Sequence, residues 1–151
     1  MNEHFYTFQE YMKKANLTAA MEDYLEMVYR LSVNTGFTRI QKLAQSLNVK
    51  PSSTTKMIQR LATMGYVQYE KYGVIKLEEN GERIGAYLLN RHLIIEKFLR
   101  IIGIGDNDLL EETEKIEHTL SEKTIVFIER FVCFMDNNPE IAKSIDVFVN
   151  D

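Results

Sequence analysis

Three apolar patterns follow one another between Thr38 and Leu77, and their order leaves few folds open. Ile40, Leu43, Ala44 and Leu47 recur at helical spacing, Met57, Ile58, Leu61 and Met64 do so again, and after Gly65 the runs become strand-like. Asn48-Val49-Lys50 separates the two helical stretches. Pro51 suits a first helical position, because its fixed φ fits and its missing N–H has no partner to lose there. Two short helices about a tight turn predict a helix-turn-helix. Tyr66-Val67-Gln68-Tyr69-Glu70 and Val74-Ile75-Lys76-Leu77, split at Tyr72-Gly73, predict a two-stranded wing behind it. Thr38-Arg39-Ile40-Gln41 fits a capping box opening the first of these helices.

The flanks are helical. Thr18 is a plausible N-cap for a helix carrying Met21, Leu25, Val28, Tyr29 and Leu31, which stops near Gly36. A long helix from about Asn80 toward Gly103 carries Ile84, Leu88, His92, Ile95, Leu99 and Ile102. Asp106 to Leu120 forms another, Ser121 caps a third that runs to about Asp136, and Pro139 can open a last one. Residues 1–17, with Phe5, Tyr6, Phe8 and Tyr11 among polar groups, read as an N-terminal extension. The expected fold is mainly α: a winged helix-turn-helix over 18–80 and an all-helical domain over 81–151.

Charge divides along the same line. The net charge is −4, yet Thr38–Lys76 holds seven basic residues and one acid, Glu70, leaving 11 basic and 21 acidic residues elsewhere. A basic segment in an acidic body suits phosphate at one place and cations at another. Cys133 is the single cysteine, so an internal disulfide and a cysteine zinc cage are both excluded. A metal here needs oxygen and imidazole ligands. No apolar run reaches the roughly 20 residues that span a bilayer, and Met1-Asn2-Glu3-His4 opens no signal segment, so the expected location is the cytoplasm.

Two constellations carry chemistry. The second short helix presents Pro51, Ser52, Ser53, Thr54, Thr55 and Lys56, then Gln59 and Arg60: small groups at its start and longer donors beyond, as a major groove requires. A Ser/Thr cluster alone also fits a solvated, capped helix. Set behind a helix-turn-helix and before a wing, it reads as a DNA face, with Thr38, Arg39, Lys71 and Tyr72 as further contacts and Lys76 beside them. The second constellation is acidic. Asp23 and Glu26 share one face of the first helix, Glu114, Glu117 and His118 share another, and His92 sits between Leu88 and Ile95. Each piece has an ordinary alternative in a solvated helix face, a satisfied core histidine or first-turn acids. Together they offer four carboxylates and two imidazoles to one or two divalent ions.

Met21-Glu22-Asp23-Tyr24-Leu25-Glu26, Pro51-Ser52-Ser53-Thr54-Thr55-Lys56-Met57, Tyr69-Glu70-Lys71-Tyr72, Asn90-Arg91-His92, Phe98 to Gly103 and Glu114 to His118 resemble the manganese-responsive branch of the diphtheria-toxin-repressor family. The resemblance runs from about Thr18 to Met135. It implies a homodimeric repressor on double-stranded operator DNA, with a helical dimerisation domain and a pair of Mn²⁺ ions per subunit as co-repressor, acting on manganese uptake genes. It further implies one ion at Asp23, Glu26, His92 and Glu117 and a second at Glu114 and His118, with Glu26 and Glu117 bridging. Iron-responsive relatives are expected to place sulfur ligands at positions 23 and 117; carboxylates suit Mn²⁺ better. With the sequence running to Asp151, the SH3-like third domain of the longer iron type is expected to be absent, as in the shorter manganese type.

The dimer seam is expected on the helix after Ser121, where Ile125, Ile128, Phe131, Val132 and Met135 form an apolar stripe, with internal core as the alternative. Cys133 reads as an apolar filler. A dinuclear metal enzyme is the remote alternative, since such sites need two Glu-x-x-His motifs and two further Glu, and only one Glu/His cluster occurs. No membrane and no small organic substrate are expected. A winged-helix regulator answering to iron, zinc or no metal is the remaining alternative.

Overall fold

A computed structural model describes residues 16–150, which fall into two compact units meeting in sequence at Leu89/Asn90. The expected extension lies almost wholly outside the described residues.

The first unit opens with α1 (Ala19–Ser32), whose N-cap Thr18 is extended and accepts the Met21 N–H on Oγ1 at 3.3 Å. Its apolar stripe buries Met21, Leu25 and Val28. Beyond it, Gly36 at φ +76° turns the chain, and its N–H returns to the Ser32 carbonyl at 2.7 Å. Next come β1 (Thr38–Arg39), α2 (Ile40–Ser46) and α3 (Pro51–Thr63). Pro51 stands at the start of α3, and Asn48 at φ +54° makes the turn before it. The wing is β2 (Val67–Glu70) and β3 (Val74–Leu77), joined through a 3₁₀ turn at Lys71–Gly73 in which Tyr72 and Gly73 take φ +63° and +71°. The sheet is antiparallel in the order β1-β3-β2. Val67 faces Leu77 and Glu70 faces Val74 across the hairpin, while Thr38 faces Ile75 on the other edge.

The capping box is a correction. Thr38 does not cap α2; the N-cap is Arg39, which makes no side-chain cap bond. The physical reason is the pairing with β3: the backbone of Thr38 is held extended in the sheet, and its side chain is 3% exposed.

α4 (Glu79–Ile101) belongs to both units in sequence. Its first half closes the core of the first unit, where Ile84 and Leu88 pack with Leu25, Val28, Leu43, Ile58, Leu61 and Ile75. Burying each such side chain contributes roughly 1.5–3 kcal/mol. Two glycines permit the close approach. A Cβ on Gly81 would stand 1.9 Å from the Tyr66 carbonyl oxygen, and one on Gly85 would stand 2.6 Å from the Tyr29 Cβ.

The second unit takes the remainder of α4, then α5 (Asp106–Glu117), α6 (Glu122–Asn137) and α7 (Pro139–Asn150). Ser121 caps α6 by accepting the Thr124 N–H at 3.3 Å. Ile95, Leu99, Leu109 and Ile125 form one apolar cluster, and Ile94, Ile128 and Val132 form another. Phe98 touches both clusters and meets Phe131 edge-on at 5.7 Å. Among the described residues no helix is long and apolar enough to cross a membrane.

Gly81→Ala should lower the unfolding free energy by about 3 kcal/mol, because a backbone carbonyl cannot give way as a flexible side chain can. Urea unfolding of the purified chain, at constant m, measures this.

Candidate metal centre and nucleic-acid interface

In the first unit, α1 puts Asp23 and Glu26 on one face, three residues apart. Glu26 is 7% exposed, although it is an acid on an otherwise apolar stripe. Arg30, one turn further on, meets it: Nε donates to Glu26 Oε1 at 3.0 Å and Nη2 to the same oxygen at 2.5 Å. A buried carboxylate costs several kcal/mol unless paired, and this double contact satisfies it.

In the second unit, His92 and Glu117 are both buried, and Nδ1 of His92 lies 2.8 Å from Glu117 Oε2. His118, the C-cap of α5, has Nε2 3.7 Å from Glu117 Oε1 and Nδ1 3.3 Å from Nη2 of the buried Arg91. The helix expected to run to Leu120 therefore ends at Glu117, and His118 keeps αR backbone at φ −89°. Glu114 lies exposed one turn before Glu117. Two imidazoles and a carboxylate thus converge in a buried, sulfur-free setting. That donor chemistry fits a divalent ion of hard to borderline character.

Three neighbours were not foreseen. Arg30 and Arg91 face proposed ligand atoms, and Glu96 Oε2 lies 3.6 Å from His92 Nε2. Their i,i+4 spacing made Arg30–Glu26 and His92–Glu96 findable from sequence. Arg91 to His118 joins two helices and carried no local signal.

On the candidate DNA face, Pro51, Ser52, Ser53, Lys56, Gln59 and Arg60 are exposed along α3. Thr55 is half-buried and returns its hydroxyl to the Pro51 carbonyl at 3.0 Å. Thr54 is a correction: it is wholly buried, and its hydroxyl donates to the Lys50 carbonyl at 3.2 Å, so it pins the first turn of α3 and offers nothing to a groove. Thr38 is a second correction, being buried in the sheet. Arg39 is exposed, and its Nη1 donates to the Tyr72 carbonyl at 3.3 Å, tying the strand before α2 to the wing tip. Lys71 is exposed and Tyr72 is 91% exposed at the tip. Lys76 donates to Glu70 at 2.9 Å, which spends the one acid of the basic segment on a neighbour.

The stripe assigned to a dimer seam is also corrected. Ile125, Ile128, Val132 and Met135 are buried in their own chain and Phe131 is half-buried against Phe98, so α6 turns that stripe inward. Phe127 and Phe134, 55% and 50% exposed, are the large apolar groups α6 leaves outside. Cys133 is exposed and fills no core.

Comparison with known proteins gives a consistent result. The family profile described as "Iron dependent repressor, N-terminal DNA binding domain" matches residues 16–81, and "Iron dependent repressor, metal binding and dimerisation domain" matches residues 78–146. The chain is 42% identical over 129 residues to the HTH-type transcriptional regulator MntR of Lysinibacillus sphaericus, covering 85% of this chain and 93% of that protein. It is 37% identical over 134 residues to the MntR of Oceanobacillus iheyensis, covering 89% and 91%. Among solved structures it is similar to IdeR of T. acidophilum, with TM-score 0.63, 32% identity, and coverage of 73% of this chain and 53% of that one. It is also similar to the manganese regulator SloR, with TM-score 0.66, 25% identity and coverage of 76% and 54%. It spans about half the length of those solved chains.

Lys56→Ala should reduce the slope of log Kd against log salt for duplex DNA by about 0.9, the value of one lost phosphate contact. Thr54→Ala should leave that slope unchanged. Fluorescence anisotropy over a salt series separates them.

Proposed function

The chain belongs to the iron-dependent repressor family, whose two profiles together take in residues 16–146, and on that premise we propose that it is a manganese-responsive repressor of transcription. It is a DNA-binding regulator and not an enzyme, it binds a divalent metal, and it works as a homodimer. The observation that carries the metal reading is the buried 2.8 Å contact between His92 and Glu117 with His118 beside them, within the stretch matched by the metal-binding profile.

In this reading residues 18–80 are the DNA-binding head and 81–151 the metal-binding and dimerisation body, and the protein acts in the cytoplasm. Asp23, Glu26, His92 and Glu117 would hold one Mn²⁺, and Glu114 and His118, together with Glu26 and Glu117, would hold a second. A bound divalent ion supplies positive charge that acids from both parts of the chain can share. The carboxylates and imidazoles set the preference: with no sulfur donor in the set, a hard ion is favoured by ligand type. Unneutralised, Asp23, Glu26, Glu114 and Glu117 repel one another, which loosens the head from the body. Drawn together, they restrict the head. The recognition helices of a dimer must match half-sites about 34 Å apart, so a restricted head binds more tightly with no new base contact.

Within the head, Ser52, Ser53, Lys56, Gln59 and Arg60 read the groove and its phosphates, while Arg39, Lys71 and Tyr72 reach the backbone from the wing side. Phe127 and Phe134 belong to the face that meets the second subunit. The targets in this reading are promoters of manganese uptake genes, the class that the family resemblance implies.

Anisotropy titration of promoter DNA from the host's manganese uptake genes tests the reading. Mn²⁺ should tighten binding at least tenfold, and more than Zn²⁺ at equal free concentration. The double variant His92→Ala/Glu117→Gln should bind DNA equally with and without Mn²⁺. Equal tightening by Mn²⁺ in that variant would overturn the ligand assignment.

A further inference from the structure

We propose that Arg30 and Arg91 are built-in cation placeholders: each guanidinium holds a ligand atom of the metal centre in the metal-free protein, and metal uptake is an exchange that releases them. The inference rests on the ligand assignment above and extends it to what fills the ligands before metal arrives.

Two contacts, each inside its own unit, carry it. Arg30 places both Nε and Nη2 on one oxygen of Glu26, at 3.0 and 2.5 Å. Glu26 is buried and Arg30 about one-third exposed, so the acid is kept from water and the guanidinium is not. A buried acid reserved for a metal carries a charge that needs compensation whenever metal is scarce, and Arg30 supplies a cation. The guanidinium reaches this oxygen with two N–H groups from the same helix four residues on, so the placeholder needs no rearrangement of the backbone.

The second contact is stricter, because an imidazole has few ways to satisfy it. Nη2 of Arg91 stands 3.3 Å from Nδ1 of His118, so that nitrogen accepts and the proton of a neutral ring lies on Nε2. A metal needs a lone pair. At Nδ1 it would take the one Arg91 occupies; at Nε2 it would send the proton to Nδ1, where it would face the Arg91 N–H donor to donor. In either case the Arg91 contact breaks. Both arginines therefore oppose metal at a ligand atom, and both stabilise the metal-free chain. Their joint effect is a threshold: the free metal level at which the exchange becomes favourable is set by guanidinium contacts as well as by the ligands.

Mn²⁺ titration of the full chain, following free Mn²⁺ by electron paramagnetic resonance, tests this in wild type, Arg30→Met, Glu26→Gln and the double variant. Arg30→Met keeps the aliphatic stem and removes the charge. It should lower the Kd for Mn²⁺ about fivefold to tenfold, as loss of a charge-assisted contact at a partly exposed pair implies. In the Glu26→Gln background the same change should have no effect, whereas a long-range charge effect would persist there. Thermal unfolding gives a second readout: Arg30→Met should lower the Tm of the metal-free chain and leave that of the Mn²⁺-saturated chain unchanged, while a merely structural arginine would lower both. An unchanged or higher Kd in Arg30→Met, with Glu26→Gln weakening Mn²⁺ binding, overturns the placeholder alone. Unchanged Mn²⁺ binding in Glu26→Gln overturns the ligand assignment and the placeholder with it. Arg91→Gln, if it folds, should also tighten Mn²⁺ binding; a weaker affinity would remove Arg91 from the proposal.

Discussion

A carboxylate removed from water must find a positive charge or a hydrogen-bond donor, and among the described residues two are buried, Glu26 and Glu117, in separate units. Each is satisfied locally, Glu26 by Arg30 and Glu117 by His92. No apolar packing argument explains an acid at either place. Acids kept at buried positions are retained for a charge partner, and the function proposed for the chain follows from asking which partner both could share.

The remaining architecture serves that demand. α4 supplies Ile84 and Leu88 to one core, Ile94, Ile95 and Leu99 to the others, and His92 between them. Gly81 and Gly85 let its first half approach Tyr66 and Tyr29 more closely than any side chain would allow. Arg39 ties the strand before the helix-turn-helix to the wing tip through the Tyr72 carbonyl. In the proposed reading, DNA and metal are recognised by different residues of opposite charge, and α1, in the first unit, carries the acids Asp23 and Glu26 proposed for the metal set.

Much of this was legible in the residues. The change of apolar period after Gly65 predicted the wing, Pro51 marked the start of α3, and Thr18 and Ser121 capped the helices they were expected to cap. Most of the misreadings share a cause, a partner distant in sequence, and Thr54 is the local exception. Thr38 looked like a cap until Ile75 paired with it across the sheet. The stripe of Ile125, Ile128 and Val132 looked free until Ile94 and Leu99 covered it, and periodicity cannot distinguish a helix face that meets its own chain from one that meets a second copy. Thr54 looked like a groove contact because a hydroxyl early in a helix can point outward or return to the backbone, and only packing decides. Arg91 was invisible for the same reason: its partner, His118, lies on another helix.

The central claim is that acids on α1 and the His92–Glu117 pair share an ion. Crystals of the full chain grown with Mn²⁺, with anomalous diffraction collected at the manganese absorption edge, test it directly. The account predicts an anomalous peak coordinated by oxygens of Asp23 or Glu26 together with His92 and Glu117. A peak ligated only by residues of the second unit, with Asp23 and Glu26 outside coordination distance, would contradict it.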